Sequence, residues 1–222
     1  AAFSNFSILP AAIESRDVIQ KQAALGFYPE SSFVWATMLA QVPVAFVEIV
    51  VLSSIVYWMP GLAADADRFL FYFAMVFITD LVFAGVFSAI AYAAPNLDAA
   101  QSVSAPVVGI LLLYAGVLNT RESIPDFMRW AYWISPFSWS LRSLAQNELT
   151  SEEYDVVVPG TDSKLGELFL DALEIQTDSI WLSMGIVYNL AVYVLMVYIT
   201  IYLLKNFRFD LSIGSTRTIP TN

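Results

Sequence analysis

The 222 residues contain no cysteine and no histidine. The first absence excludes disulfides and thiolate metal sites from this stretch, and the second removes the commonest general base and metal ligand. A Ser-His-Asp site cannot be assembled, and no GxSxG turn occurs to carry one. No GxxxxGK[ST] loop is present, so these residues cannot cradle the phosphates of ATP by themselves. Basic residues are scarce, 10 Lys and Arg against 20 Asp and Glu, and none of them gather into a nucleic-acid footprint. The net charge of -10 is a weak guide to partners, because the acids gather most densely after Leu149. No catalytic or metal-ligating set is therefore expected.

Apolar sequence is abundant. Hydrophobic residues make up 58% and aromatics 15%, with a mean hydropathy of +0.65, which places the chain in a lipid bilayer. Apolar runs predict spans at 1–12, 31–59, 69–94, 99–118 and 180–204, the full-length ones matching about 30 Å of hydrocarbon at about 1.5 Å per helical residue. The expected fold is an all-α polytopic helical bundle forming a single transmembrane domain over 1–222. Because the chain starts inside an apolar run without Met, it is expected to be an N-terminally truncated part of a longer polypeptide. Between the first two runs, 13–22 reads as a short amphipathic helix carrying Glu14, Arg16, Asp17 and Lys21. The segment 150–178 is an acidic external loop with a short helix at 164–173. Lys205 and Arg208 follow the last span and place its end on the cytoplasmic side. Arg68, Arg121, Arg129, Arg142 and Lys164 fall on the other side, so charge alone does not orient the bundle.

The most informative stretch runs from Gly109 to Leu149. A charge-free span reaches Leu118 and stops at Asn119, Thr120, Arg121, Glu122 and Pro125, because backbone that leaves the helix needs water or protein partners. The following segment, 124–149, is apolar and rich in Trp and Tyr, and it is broken at Ser135-Pro136, where proline biases the preceding residue away from helix. It predicts a re-entrant or interfacial hairpin before the last external loop, with Arg129 and Arg142 reaching to the headgroups. A kinked single span is the alternative. Gly85 and Ala89, with Ala84, Ser88 and Ala91 nearby, mark a face for close helix packing. The sequon Asn5-Phe6-Ser7 lies inside the first apolar run and is not read as a glycosylation site.

Two acids lie inside spans. Glu48 stands eleven residues before Met59 and Asp80 eleven after Phe69, so both sit about 16 Å from the same boundary. Intramembrane acids mark function by default, and these two could share one polar site or each cap a structural partner. They leave open a proton-coupled transporter or channel, and an intramembrane acid-dependent enzyme.

Several strings together carry a family resemblance. Ala115-Gly116-Val117-Leu118, Ile124-Pro125, the Trp130 to Pro136 segment WAYWISP and the Leu144 to Glu148 segment LAQNE occur in an order that resembles the membrane domain of subfamily G ABC exporters, closest to the pleiotropic-drug-resistance branch. The likeness runs from about Phe3 to about Phe209. It implies the membrane half of an ATP-driven exporter of hydrophobic compounds or lipids, most readily in the plasma membrane. ATP and Mg would be bound by a nucleotide-binding domain in cis, outside these residues, so this chain alone is not expected to be an enzyme. A second membrane half, identical, different or in the same polypeptide, would complete the pathway through the lipid bilayer. By the same resemblance Glu14, Arg16, Asp17 and Lys21 would rest on the ATPase domain. Phe3, Phe6, Gly109 and Leu113 would line the substrate path, and Val117 and Leu118 would form an apolar plug. Relatives often staple the last external loop with disulfides, which this chain lacks.

Overall fold

The structure, a computed structural model, describes residues 3–116, 124–158, 163–175 and 179–207. Within them a 3₁₀ turn at Ser4–Ser7 leads into α1 (Ile8–Ala24), followed by α2 (Glu30–Trp58), α3 (Ala66–Ala93), α4 (Leu97–Leu113), α5 (Arg129–Ile134), α6 (Pro136–Leu149), α7 (Leu165–Ala172) and α8 (Ser179–Asn206). Three helices, Glu30–Trp58, Ala66–Ala93 and Ile180–Asn206, are long and apolar enough to cross a membrane. The fold is the all-α membrane bundle expected.

Prolines and one asparagine punctuate the chain. Pro29 precedes α2 and Pro136 opens α6, where the missing N–H has no helical partner to lose. Asn96 starts α4 by accepting the Ala99 amide at 2.9 Å. Ser135 has ψ 120, the extended state favoured before proline, and it separates α5 from α6 where the sequence predicts the break.

Two boundaries differ from expectation. Residues 8–12 of the predicted span 1–12 and the predicted helix 13–22 form one helix, because no glycine or proline follows Pro10 until Gly26. The predicted span 99–118 ends at Leu113, giving 17 residues, or about 26 Å. Gly116 then turns at φ +97, where a side chain would be strained, and Tyr132 of α5 lies 3.0 Å from the position a Cβ would take.

The centre is α3, whose hydrophobic window is 61% buried against 17% for α2 and for α8. Phe83, Phe87 and Val82 are fully enclosed, while Val44, Val47, Leu195 and Tyr198 on the flanking helices remain exposed. Those outward faces suit lipid, where apolar exposure carries no penalty. α3 and α8 approach closely at Gly85, where an added Cβ would lie 2.8 Å from the Cβ of Met196. The small-residue face read from the sequence is thus a helix contact.

Gly85→Ala is expected to push α8 off α3 and lower stability by about 1–3 kcal/mol. Gly109→Ala is the control, since nothing lies within 4 Å of its Cβ position. Thermal unfolding in detergent checks this, and equal midpoints for the two variants would refute the close approach.

Candidate functional site

The bundle has two ends. At one, called the base here, α1 and the C-termini of α3 and α8 meet. At the other, the top, the α2–α3 turn meets the end of α6.

At the base, Arg16 points inward and is 1% exposed. Its Nη1 donates to the carbonyl of Ala94 at 2.6 Å and its Nη2 to that of Pro95 at 3.2 Å. These carbonyls follow the last turn of α3, where helix geometry leaves acceptors unsatisfied and partial negative charge accumulates. One turn on, Gln20 Nε2 donates to the carbonyls of Leu204 and Phe207, both at 2.9 Å, at the end of α8. The expectation that Arg16 presents a surface contact is corrected: its guanidinium is consumed inside the chain. Glu14 and Lys21 are exposed and Asp17 is half-buried, so α1 keeps a charged outer face.

In the middle of the bundle, Asp80 is buried and accepts from Asn5 Nδ2 at 2.9 Å, and the same amide reaches the Asp80 carbonyl at 3.3 Å. The carboxylate therefore has a hydrogen-bond partner from the turn before α1, a residue that sequence reasoning noticed only as part of a sequon. Glu48 is half-buried, makes no hydrogen bond among the described residues, and acts on Asp80 through Coulomb interaction. Beside Asp80, Thr79 and Ser140 share a hydroxyl contact of 2.7 Å, and Asn189 Nδ2 lies 3.4 Å from Ser140 Oγ. These three polar side chains join α3, α6 and α8. A groove of about 270 Å³ opens between α1, α2 and α3, with Ser15, Thr37, Gln41, Ser88 and Tyr92 among its lining.

Toward the top, α5 and α6 are fastened to α8 by aromatic contacts. Arg142 is buried, with its guanidinium 4.8 Å from the ring centre of Trp181, 5.2 Å from Trp133 and 5.9 Å from Trp139. The expected reach of Arg142 to the headgroups is corrected, since π-faces solvate the charge inside the protein. Tyr188 stacks on Trp139 at 4.8 Å and its hydroxyl donates to the Ile134 carbonyl freed by the helix break, at 2.7 Å. Arg129 is half-exposed and pairs with Asp126 at 2.8 Å.

At the top, the Asn147-Glu148 pair that helped carry the resemblance is a staple. Glu148 Oε1 accepts the Ala63 amide at 2.7 Å, Asn147 Nδ2 donates to the Arg68 carbonyl at 3.1 Å, and Arg68 Nη2 donates back to the Thr150 carbonyl at 3.0 Å. α7 lies against this end, where a Cβ on Gly166 would come within 2.1 Å of the Leu149 carbonyl oxygen. In the loop beneath it, a hydrogen bond and charge from Asp155, 2.7 Å away, raise the Lys164 ammonium above its ordinary pKa.

Among the expected path residues, Phe6 packs on Phe87 at 4.7 Å, Phe3 is exposed and stacked on Phe6, and Gly109 and Leu113 are exposed on α4. Val117 and Leu118 lie outside the described residues, as do Asn119, Thr120, Arg121, Glu122 and Arg208.

A bundle of apolar helices with a broken aromatic hairpin before an acidic loop defines a polytopic membrane protein, and comparison with known proteins gives its family. Residues 1–149 match the ABC-2 type transporter family, and the chain belongs to it as a transporter membrane domain. It is 30% identical over 184 residues, 83% of its length, to ABC transporter G family member 31 of Arabidopsis thaliana. It is 31% identical over 146 residues, 66% of its length, to ABC transporter G family member 2 of Dictyostelium discoideum. It is 28% identical over 184 residues, 83% of its length, to pleiotropic drug resistance protein TUR2 of Spirodela polyrhiza. The chain spans 11% of the Dictyostelium protein and 13% of each of the other two. The resemblance read from the sequence is confirmed.

The amide of Asn5 should be the principal partner of Asp80. In a double-mutant cycle on thermal stability, Asn5→Leu and Asp80→Asn are expected to couple by about 1 kcal/mol or more. Coupling between Glu48→Gln and Asp80→Asn should be smaller, and the reverse order would move the partnership to Glu48.

Proposed function

We propose that this chain is the membrane half of an ATP-driven exporter that moves hydrophobic compounds or lipids outward across the plasma membrane. A nucleotide-binding domain elsewhere in the polypeptide binds ATP and Mg and supplies the energy, and a second membrane half completes the path. The observation that carries the reading is the two-faced build of α1, within a domain whose family is that of ABC-2 transporters. Its inner face is committed to α3 and α8, while Glu14, Val18 and Lys21, spaced for one helical face, remain exposed at the base. An ATPase domain docked there would have a charged, structured surface to push. The base is then cytoplasmic, and the stapled top and its acidic loop face outside. The 222 residues form part of a single transmembrane domain, with Phe3, Phe6, Gly109 and Leu113 on the substrate path.

Charge reversal on that outer face tests the docking. In the full-length transporter, Glu14→Lys with Lys21→Glu is expected to preserve folding and basal ATP turnover but to lower ATP-dependent efflux from cells about tenfold, a loss of ~1.4 kcal/mol in coupling. Undiminished efflux would remove α1 from the coupling path.

Val117 and Leu118 remain the proposed gate on sequence grounds, since a few apolar groups resist wetting and part without breaking hydrogen bonds. Single cysteines at Val117 and Leu118 should resist a membrane-impermeant thiol reagent, while one at Thr120 should react from outside. Ready labelling at all three would place the constriction deeper.

A further inference from the structure

Arg16 and Gln20 stand four residues apart on one face of α1, and each ends on backbone carbonyls of a different helix. Arg16 takes the two carbonyls after α3, and Gln20 takes two at the end of α8. The helices they hold are themselves in close contact through Gly85 and Met196, and Thr79, Ser140 and Asn189 bridge both to α6. A displacement of α1 at the base therefore reaches two C-termini of one packed unit, through side-chain ties rather than through the peptide chain. Simple burial does not require this arrangement. Leu9, Ala12 and Ile19 already seat α1 in the apolar core, and a helix packed by apolar contacts alone can slide with little directional resistance. Donors aimed at carbonyl ends fix its height along α3 and α8, because the hydrogen bonds fail at small axial shifts.

We propose that Arg16 and Gln20 are positioning residues forming a two-pronged tie, through which motion of α1 is passed to α3 and α8 as one body. The proposal rests on the exporter reading and adds the route by which nucleotide-driven motion enters the bundle. Guanidinium suits the α3 prong, since its rigid planar fork holds two N–H groups at a fixed spacing toward the two carbonyls, whereas an ammonium is a point charge on a flexible stem. A neutral amide suffices at the α8 prong.

The test uses the full-length transporter in lipid nanodiscs, with an environment-sensitive fluorophore on Asp67→Cys at the start of α3 or on Ile180→Cys at the start of α8. Both positions are exposed and lie far from the tie along their helices. The probe is Mg-ATP with vanadate, so no transport substrate is needed. Arg16→Lys should weaken the link between nucleotide and the α3 label about tenfold, ~1.4 kcal/mol, and Gln20→Met should do the same to the α8 label. ATP turnover should stay within about twofold of the parent in both. Gln20→Arg, which keeps an N–H donor at the same place, should restore the α8 signal, a rescue that mere packing would not give. Should Arg16→Lys fail to reach the membrane, the Gln20→Met and Gln20→Arg pair decides alone.

Unchanged label signals in Gln20→Met would overturn the tie. If Lys21→Glu silences both labels while the inner-face variants leave them intact, the exporter reading stands and the tie falls. A parent protein that hydrolyses no ATP would instead refute the exporter reading.

Discussion

A backbone carbonyl or amide that leaves its helix inside a bilayer has no water to bond, and each such group must find a donor or acceptor within the protein. At several of the described junctions a side chain from a different helix answers that demand. Arg16 and Gln20 meet the ends of α3 and α8, Tyr188 meets the carbonyl released at the α5–α6 break, and Ser135 Oγ donates to the Leu111 carbonyl at 2.8 Å. At the top, Tyr57 donates to the Ala63 carbonyl at 2.7 Å while Glu148 accepts the amide of the same residue. Apolar matching between helices would permit many registers, because lipid and leucine are equally greasy. Polar ends choose among them.

The three long apolar helices and their order were legible because they depend on a local property, long apolar runs bounded by prolines and polar turns. The hairpin break was legible for the same reason, since Pro136 acts on Ser135 directly. What could not be read was the direction in which a polar side chain points. Arg16 and Lys21 both sit on an amphipathic helix in sequence, yet one is buried and the other exposed, and only the arrival of Ala94 and Pro95 at that face decides it. Asn5 and Asp80 are 75 residues apart, so neither residue signals its partner locally. A faint clue lay in the helical spacing: residues 14, 18 and 21 share one side of α1, while 12, 16 and 19 share the other, with apolar neighbours.

Arg142 illustrates the same limit from the side of charge. Desolvating a cation is costly, and the usual resolution in a membrane protein is to reach for the headgroups. Here Trp133 and Trp139 come from the hairpin and Trp181 from the start of α8, so the rings that receive the guanidinium span two parts of the chain. The hairpin is thereby anchored to the last membrane helix rather than left floating at the surface. That anchorage steadies the Tyr132 ring that lies against Gly116.

The bond between Asn5 and Asp80 also bears on how the bundle is made. Translation proceeds from the N-terminus, and earlier segments can fold before later ones exist. When α3 leaves the ribosome, the amide that will receive its buried carboxylate has already been synthesised, so the most polar residue of that helix can be accommodated at once. Thr79, one position earlier, is provided for within its own helix, donating to the Met75 carbonyl at 2.7 Å while Ser140 and Asn189 are still to come. Both buried polar groups of that stretch thus have a partner before the second half of the domain exists, and Ser140 and Asn189 add to what α3 already holds.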